Sequence, residues 1–125
     1  MTFRLLGLDH VQLAMPPGQE EEAVAFYSGV LGLERQDKPE PLAARGGCWF
    51  SNGAVVLHLG VETDFRAAKK AHPAVLVDDL DALRQRLADA GYEFRPDHEL
   101  EGVTRGYVDD PFGNRIELVQ AEESA

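Results

Sequence analysis

The sequence predicts an α+β domain made of two similar halves, with helices outside and a shared, curved mixed sheet inside. Three observations carry this. The element order β-α-β-β occurs twice, offset by about 60 residues, too few copies for a solenoid. Each half has one helix with a single apolar face, ended by a glycine, Gly32 or Gly91. Each half also closes on a strand in which one polar residue sits between apolar neighbours, Leu57-His58-Leu59 and Ile116-Glu117-Leu118.

In chain order, Leu6 to Met15 reads as a strand that Pro16-Pro17-Gly18 breaks. Gln19 to Leu31 reads as a helix with Glu20, Glu21 and Glu22 in its first turn, where the helix dipole favours acids. Ala23, Phe26, Tyr27, Val30 and Leu31 share one face of it. Gln36 to Arg45 is polar and reads as a loop. Gly47 to Phe50 and Val55 to Gly60 read as strands around Ser51-Asn52-Gly53, with Asn-Gly as a two-residue hairpin signal. Val61 to Ala71 is charged and reads as a linker between a first module, about 6–60, and a second, about 72–120. His72 to Val77 is the next strand. Asp78 and Asp79 cap a helix carrying Leu80, Leu83, Leu87 and Ala90 on one face. Thr104 to Val108 and Arg115 to Gln120 are strands around Asp109 to Asn114, and a short extra strand is expected near Glu34 and near Glu93. The end, from Ala121, reads as frayed.

Composition excludes several classes. At 125 residues and 44% hydrophobic, one domain can bury about two-thirds of its unfolded surface without staples. One cysteine, Cys48, rules out an internal disulfide framework and fits a reducing cytoplasm. The start, Met1 to Leu8, lacks signal-peptide features, and no apolar run approaches the ~20 residues of a membrane span. A net charge of −10 argues against nucleic acid and anionic membranes as partners.

The repeat also sorts the four histidines. His10 and His72 fall at equivalent places in the first strand of each half, and His58 and Glu117 at equivalent places in the last. Alternation puts Leu57 and Leu59 on one face and His58 on the other, and likewise Ile116 and Leu118 against Glu117. Three imidazoles and a carboxylate on one face can bind a divalent metal, with the carboxylate as a base. His98, in a polar loop with no repeat partner, reads as surface; Cys48 reads as a small buried hydrophobe, and the Glu20–Glu22 run as a solvated helix start. Parity further places Gln12 with His10, Trp49 with His58, and Arg105 with Tyr107 on one face, as candidate substrate contacts; Trp49 would lie opposite Val56 if Asn52-Gly53 is a two-residue turn.

Leu8-Asp9-His10-Val11, Phe26-Tyr27-Ser28-Gly29-Val30-Leu31-Gly32 and Asp110-Pro111-Phe112-Gly113-Asn114-Arg115-Ile116-Glu117-Leu118 resemble the vicinal oxygen chelate superfamily, also called the glyoxalase/bleomycin resistance/dioxygenase fold, over Leu8 to Gln120. The resemblance implies two βαβββ modules forming a cup or barrel around one divalent metal held by His10, His58, His72 and Glu117; nickel, cobalt, zinc, iron and manganese all suit such mixed ligation. It implies a metal-dependent enzyme, lyase- or isomerase-like, that chelates a small substrate through vicinal oxygens, with Glu117 as base. Tyr107 matches the pocket tyrosine of the fosfomycin-modifying transferases. Their pocket threonine, however, is Gln12 here, and the chain ends before their phosphonate-binding arginine. Ala14 and Glu62 stand where glyoxalase I has its glutathione-contacting Arg and Asn, which argues against a glutathione-dependent glyoxalase I. The alternatives are an extradiol-type dioxygenase using His10, His72 and Glu117, or a small-molecule-sequestering, antibiotic-resistance binding protein. The resemblance also implies a homodimer. In it the Val61–Ala71 linker, able to span ~30 Å at ~3.3 Å per residue, permits sites shared between chains.

Overall fold

The computed structural model describes residues 2–122. Residues 123–125, part of the tail expected to fray, lie outside the described residues. Eight strands and two helices run in the order β1 (Val11–Met15), α1 (Glu20–Tyr27), β2 (Glu34–Gln36), β3 (Cys48–Ser51), β4 (Val56–Val61), β5 (Ala74–Val77), α2 (Leu80–Asp89), β6 (Arg95–Asp97), β7 (Arg105–Asp109) and β8 (Arg115–Gln120). A short 3-10 helix, Leu42–Arg45, interrupts the loop between β2 and β3. Each half is therefore βαβββ, and the short extra strands fall at Glu34–Gln36 and Arg95–Asp97.

The shared cup or barrel is not formed within this chain. The strands make two separate four-stranded sheets, ordered β1-β4-β3-β2 and β5-β8-β7-β6. In each, the outer first strand is parallel to the last, and the other pairs are antiparallel. No ladder joins β1 to β5, so neither sheet closes. The reason lies in where the apolar faces go. Leu57 and Leu59 of β4, Ile116 and Leu118 of β8, Phe26 and Tyr27 of α1, and Leu80 and Leu87 of α2 all enter one buried core. Burying these faces together leaves the two polar faces unjoined.

Local chemistry explains the elements. α1 carries its three glutamates in the first turn and buries Ala23, Phe26 and Tyr27. The Asp79 side chain accepts a 3.0 Å bond from the Ala82 N–H and so caps α2. At Gly47 a Cβ would lie 2.2 Å from the Leu59 carbonyl oxygen, so only glycine admits this approach of β3 to β4. β1 begins at Val11 rather than Leu6, because Val11 is the first residue with a ladder partner, Leu57. The β3–β4 turn spans four residues rather than two: the Asn52 N–H bonds the Val55 carbonyl, and the Asn52 side chain accepts from the Val55 N–H. The pairing shifts accordingly, setting Trp49 opposite His58 and Ser51 opposite Val56.

One polar network stitches the halves together. The Asp110 carboxylate, 4% exposed, accepts from the Tyr27 hydroxyl (2.7 Å), the Phe112 N–H (2.9 Å), the Asn114 N–H (2.8 Å) and the Asn114 amide (3.0 Å). Asn114 also donates to the Ala14 carbonyl on β1 and accepts from the Ala68 N–H in the linker. Burial, then the Asp110 charge, pushes the Tyr27 hydroxyl well above its ordinary pKa, keeping it a donor. The Asp-Pro-Phe-Gly-Asn turn thus fixes β8, β1, α1 and the linker at one point.

Candidate metal centre

Residue register confirms the equivalence of the two halves. Gln12 on β1 pairs with His58 on β4, and Ala74 on β5 pairs with Glu117 on β8. His10 lies two residues before Gln12 and His72 two before Ala74, each just outside its strand. Strand pairing therefore brings His10 to His58 and His72 to Glu117, as two separate pairs. Among the described residues no group of three or more His, Cys, Asp or Glu side chains is placed to hold a metal ion.

The first pair is aromatic and open. The His10 and His58 rings stack with centroids 4.1 Å apart, and Trp49 stacks on the other side of His58 at 4.3 Å. They line a cavity of about 560 Å3 together with Gln12, Lys38 and Arg45. Asp9 accepts a 2.8 Å bond from His10 Nδ1, which fixes the proton there and leaves the Nε2 lone pair free. Burial, then the neighbouring His10, pushes the His58 pKa down, favouring the neutral form that can ligate.

The second pair is ionic and more enclosed. Glu117 is 8% exposed, with Oε1 3.0 Å from His72 Nε2 and Oε2 accepting a 3.2 Å bond from Arg105. Arg105 also lies 3.6 Å from Asp97, and the Tyr107 ring meets His72 edge-on at 5.6 Å. His72 Nδ1 is 2.9 Å from the Lys70 carbonyl, which can only accept. With that nitrogen protonated, Nε2 and the carboxylate oxygen face each other, and either a second ring proton or a cation between them satisfies both. Two ligand atoms at ~2.1 Å from an octahedral ion are about 3 Å apart, so the pair fits one edge of a coordination sphere. The donor set, three imidazoles, of which His10 and His72 are held at Nδ1, and one carboxylate, suits a divalent transition metal.

The other candidates fall with these pairs: Gln12 and Trp49 beside His58, Arg105 and Tyr107 beside Glu117 and His72. His98 is exposed. Cys48 is buried, and burial pushes its thiol pKa up, so it is not a poised nucleophile. Sequence reasoning missed Lys38 and Arg45, read only as loop, and the positioning role of Asp110 and Asn114. The Asp-Pro-Phe-Gly-Asn motif was the available signal for the latter; the loop carried none.

Residues 7–118 match the glyoxalase/bleomycin resistance protein/dioxygenase superfamily. The chain belongs to that superfamily. It is 49% identical to a solved structure described as a "putative glyoxalase family protein" from Bacillus anthracis, with a TM-score of 0.92 and 98% and 100% of the two chains covered. The fosfomycin resistance protein FosX from Listeria monocytogenes shares the fold at 15% identity and TM-score 0.76, over 95% of this chain and 96% of that one. A superfamily member from Sphaerobacter thermophilus does so at 21% identity and TM-score 0.71, over 94% and 100%. No curated protein sequence matches the chain. Among the described residues of this superfamily member, no helix is long and apolar enough to cross a membrane.

Proposed function

We propose that the protein is a metal-dependent, lyase- or isomerase-like enzyme working as a homodimer in the cytoplasm, with each site formed by His10 and His58 of one chain and by His72 and Glu117 of the other. The observation that carries this is the split donor set: two half-sites on repeat-related positions, each short of ligands. The surface agrees. Phe3, Leu5, Leu6 and Leu8, which run directly into His10, are 84–91% exposed, and Leu76 on the outer strand β5 is 70% exposed. Apolar side chains so exposed, beside the open edges of β1 and β5, suit burial against a second copy.

A divalent metal held by His10, His58, His72 and Glu117 would supply Lewis-acid stabilisation of negative charge on the oxygens of the substrate. The chain's own residues do the rest. Glu117 takes the proton from the carbon beside those oxygens. Arg105 holds the far carboxylate oxygen and so orients the base. Asp9 and the Lys70 carbonyl hold His10 and His72 with Nε2 toward the site. Trp49 and Tyr107 wall the substrate space from water.

Sedimentation at low micromolar concentration, with elemental analysis of the fractions, tests the assembly. Metal should travel with the dimer, because binding across chains stabilises it. A monomer carrying a full complement of metal would refute the shared site. Metal-dependent turnover of α-keto aldehydes, epoxides with thiols, or catechols then assigns the reaction class; tight ligand binding without turnover would favour the sequestering alternative.

A further inference from the structure

The cavity of the first module has a feature that metal binding does not use. Lys38 and Arg45 project from the two ends of the loop between β2 and β3 onto the cavity that holds His10, His58 and Trp49. The chain as a whole carries −10, yet this wall is basic. Lys38 is half-buried, and its ammonium is anchored to the Gly46 carbonyl oxygen, which occupies one of three donors. Neither Lys38 nor Arg45 pairs with a carboxylate among the described residues. Of the acids at this cavity, Asp9 bonds His10, and Glu20, beside Gly46, accepts from the Gly47 N–H.

We infer that Lys38 and Arg45 form an anion subsite in the first-module cavity, so that the substrate is a small molecule carrying a carboxylate or phosphate group at one end. This deepens the proposed function and rests on it, because the reacting end would lie at the His10 and His58 imidazoles while the anionic end lies on the loop. An ammonium with free donors and a guanidinium together recognise a compact oxyanion by charge-assisted hydrogen bonds. The flanking Trp49 offers a flat apolar surface for the carbon skeleton.

Trp49 is the chain's one tryptophan, so its fluorescence reports on this cavity alone. The full-length protein, as purified and after dialysis against a chelator, is titrated with phenyl phosphate, phenylacetate and the uncharged benzyl alcohol. Saturable quenching by at least one anion in both preparations is expected, at least tenfold tighter than by benzyl alcohol. Lys38→Ala and Arg45→Ala should each weaken it at least tenfold, Lys38→Arg should restore most of it, and Arg66→Ala, an equal change in net charge elsewhere, should leave it unchanged. Whichever anion binds tighter identifies the head group as phosphate or carboxylate. Anion binding seen only with metal present, equal binding of benzyl alcohol, or undiminished binding by the Lys38→Ala/Arg45→Ala double variant would overturn the subsite. Metal content is measured alongside: full metal in the double variant with anion binding lost separates this subsite from the metal reading. Loss of metal from the His10 and Glu117 variants is a question for that reading alone.

Discussion

The two modules share a backbone plan but present opposite chemistry at equivalent positions. The first offers two stacked imidazoles, an indole and an open cavity with basic loop residues. The second offers an enclosed carboxylate locked between His72 and Arg105. Both halves carry a histidine just before the first strand, while the matching position in the last strand is His58 in one and Glu117 in the other. One half thus offers two imidazoles, and the other an imidazole and a carboxylate. Among the described residues neither half brings together three or more side chains placed to hold a metal ion, and the two sheets share one apolar core without a ladder between them.

The largest expected effect breaks the comparison outright. If the halves are parts of one site, His10→Ala and His72→Ala should each cut metal retention by more than tenfold, although the residues lie in different modules. Elemental analysis of both variants checks this; a loss confined to one module would locate the site within that half.

The next effect concerns what joins the halves. Asp110→Ala should lower unfolding stability by about 3 kcal/mol, because it strands three buried donors, among them the Tyr27 hydroxyl, and the half-buried Phe112 N–H. Urea unfolding should remain a single transition with an unchanged slope, since both modules share one core. Two separate transitions would show that the modules fold independently.

How much of this was legible in the sequence follows from the same contrast. Alternation and glycine punctuation located the strands and helices, and the repeat paired His10 with His72 and His58 with Glu117. Periodicity says which residues share a face, however, not which faces meet. The sequence pattern therefore suggested one shared curved sheet, whereas the packing of Leu57, Leu59, Ile116 and Leu118 into a common core keeps the sheets apart. The Trp49 register shifted because Asn52 folds back on Val55 and lengthens the turn, a side-chain interaction that an Asn-Gly pair alone does not reveal. Lys38 and Arg45 were invisible because a loop has no period.

The smallest effect sharpens the ionic character of the second module. Burial pushes the Asp109 carboxyl up, but hydrogen bonds from Arg95 and Lys69 outweigh it and hold its pKa below the ordinary value. A depressed folded-state pKa means the contribution is present at neutral pH and is lost as pH falls through the carboxylate range. Being partly exposed, the group should contribute under about 1 kcal/mol. Stability measured from pH 6 down to about pH 3 should fall less steeply in Asp109→Asn than in the wild type; parallel curves would remove Asp109 from the account.

The central claim, that the two half-sites meet across chains, is tested most directly by mixing His10→Ala with Glu117→Ala protein and measuring metal after subunit exchange. In a mixed dimer both substitutions fall in one shared site and the other site is intact. Metal should therefore return to one ion per mixed dimer, while each variant alone retains almost none. No recovery, with exchange proven by mass spectrometry, would contradict the claim and place each site within a single chain.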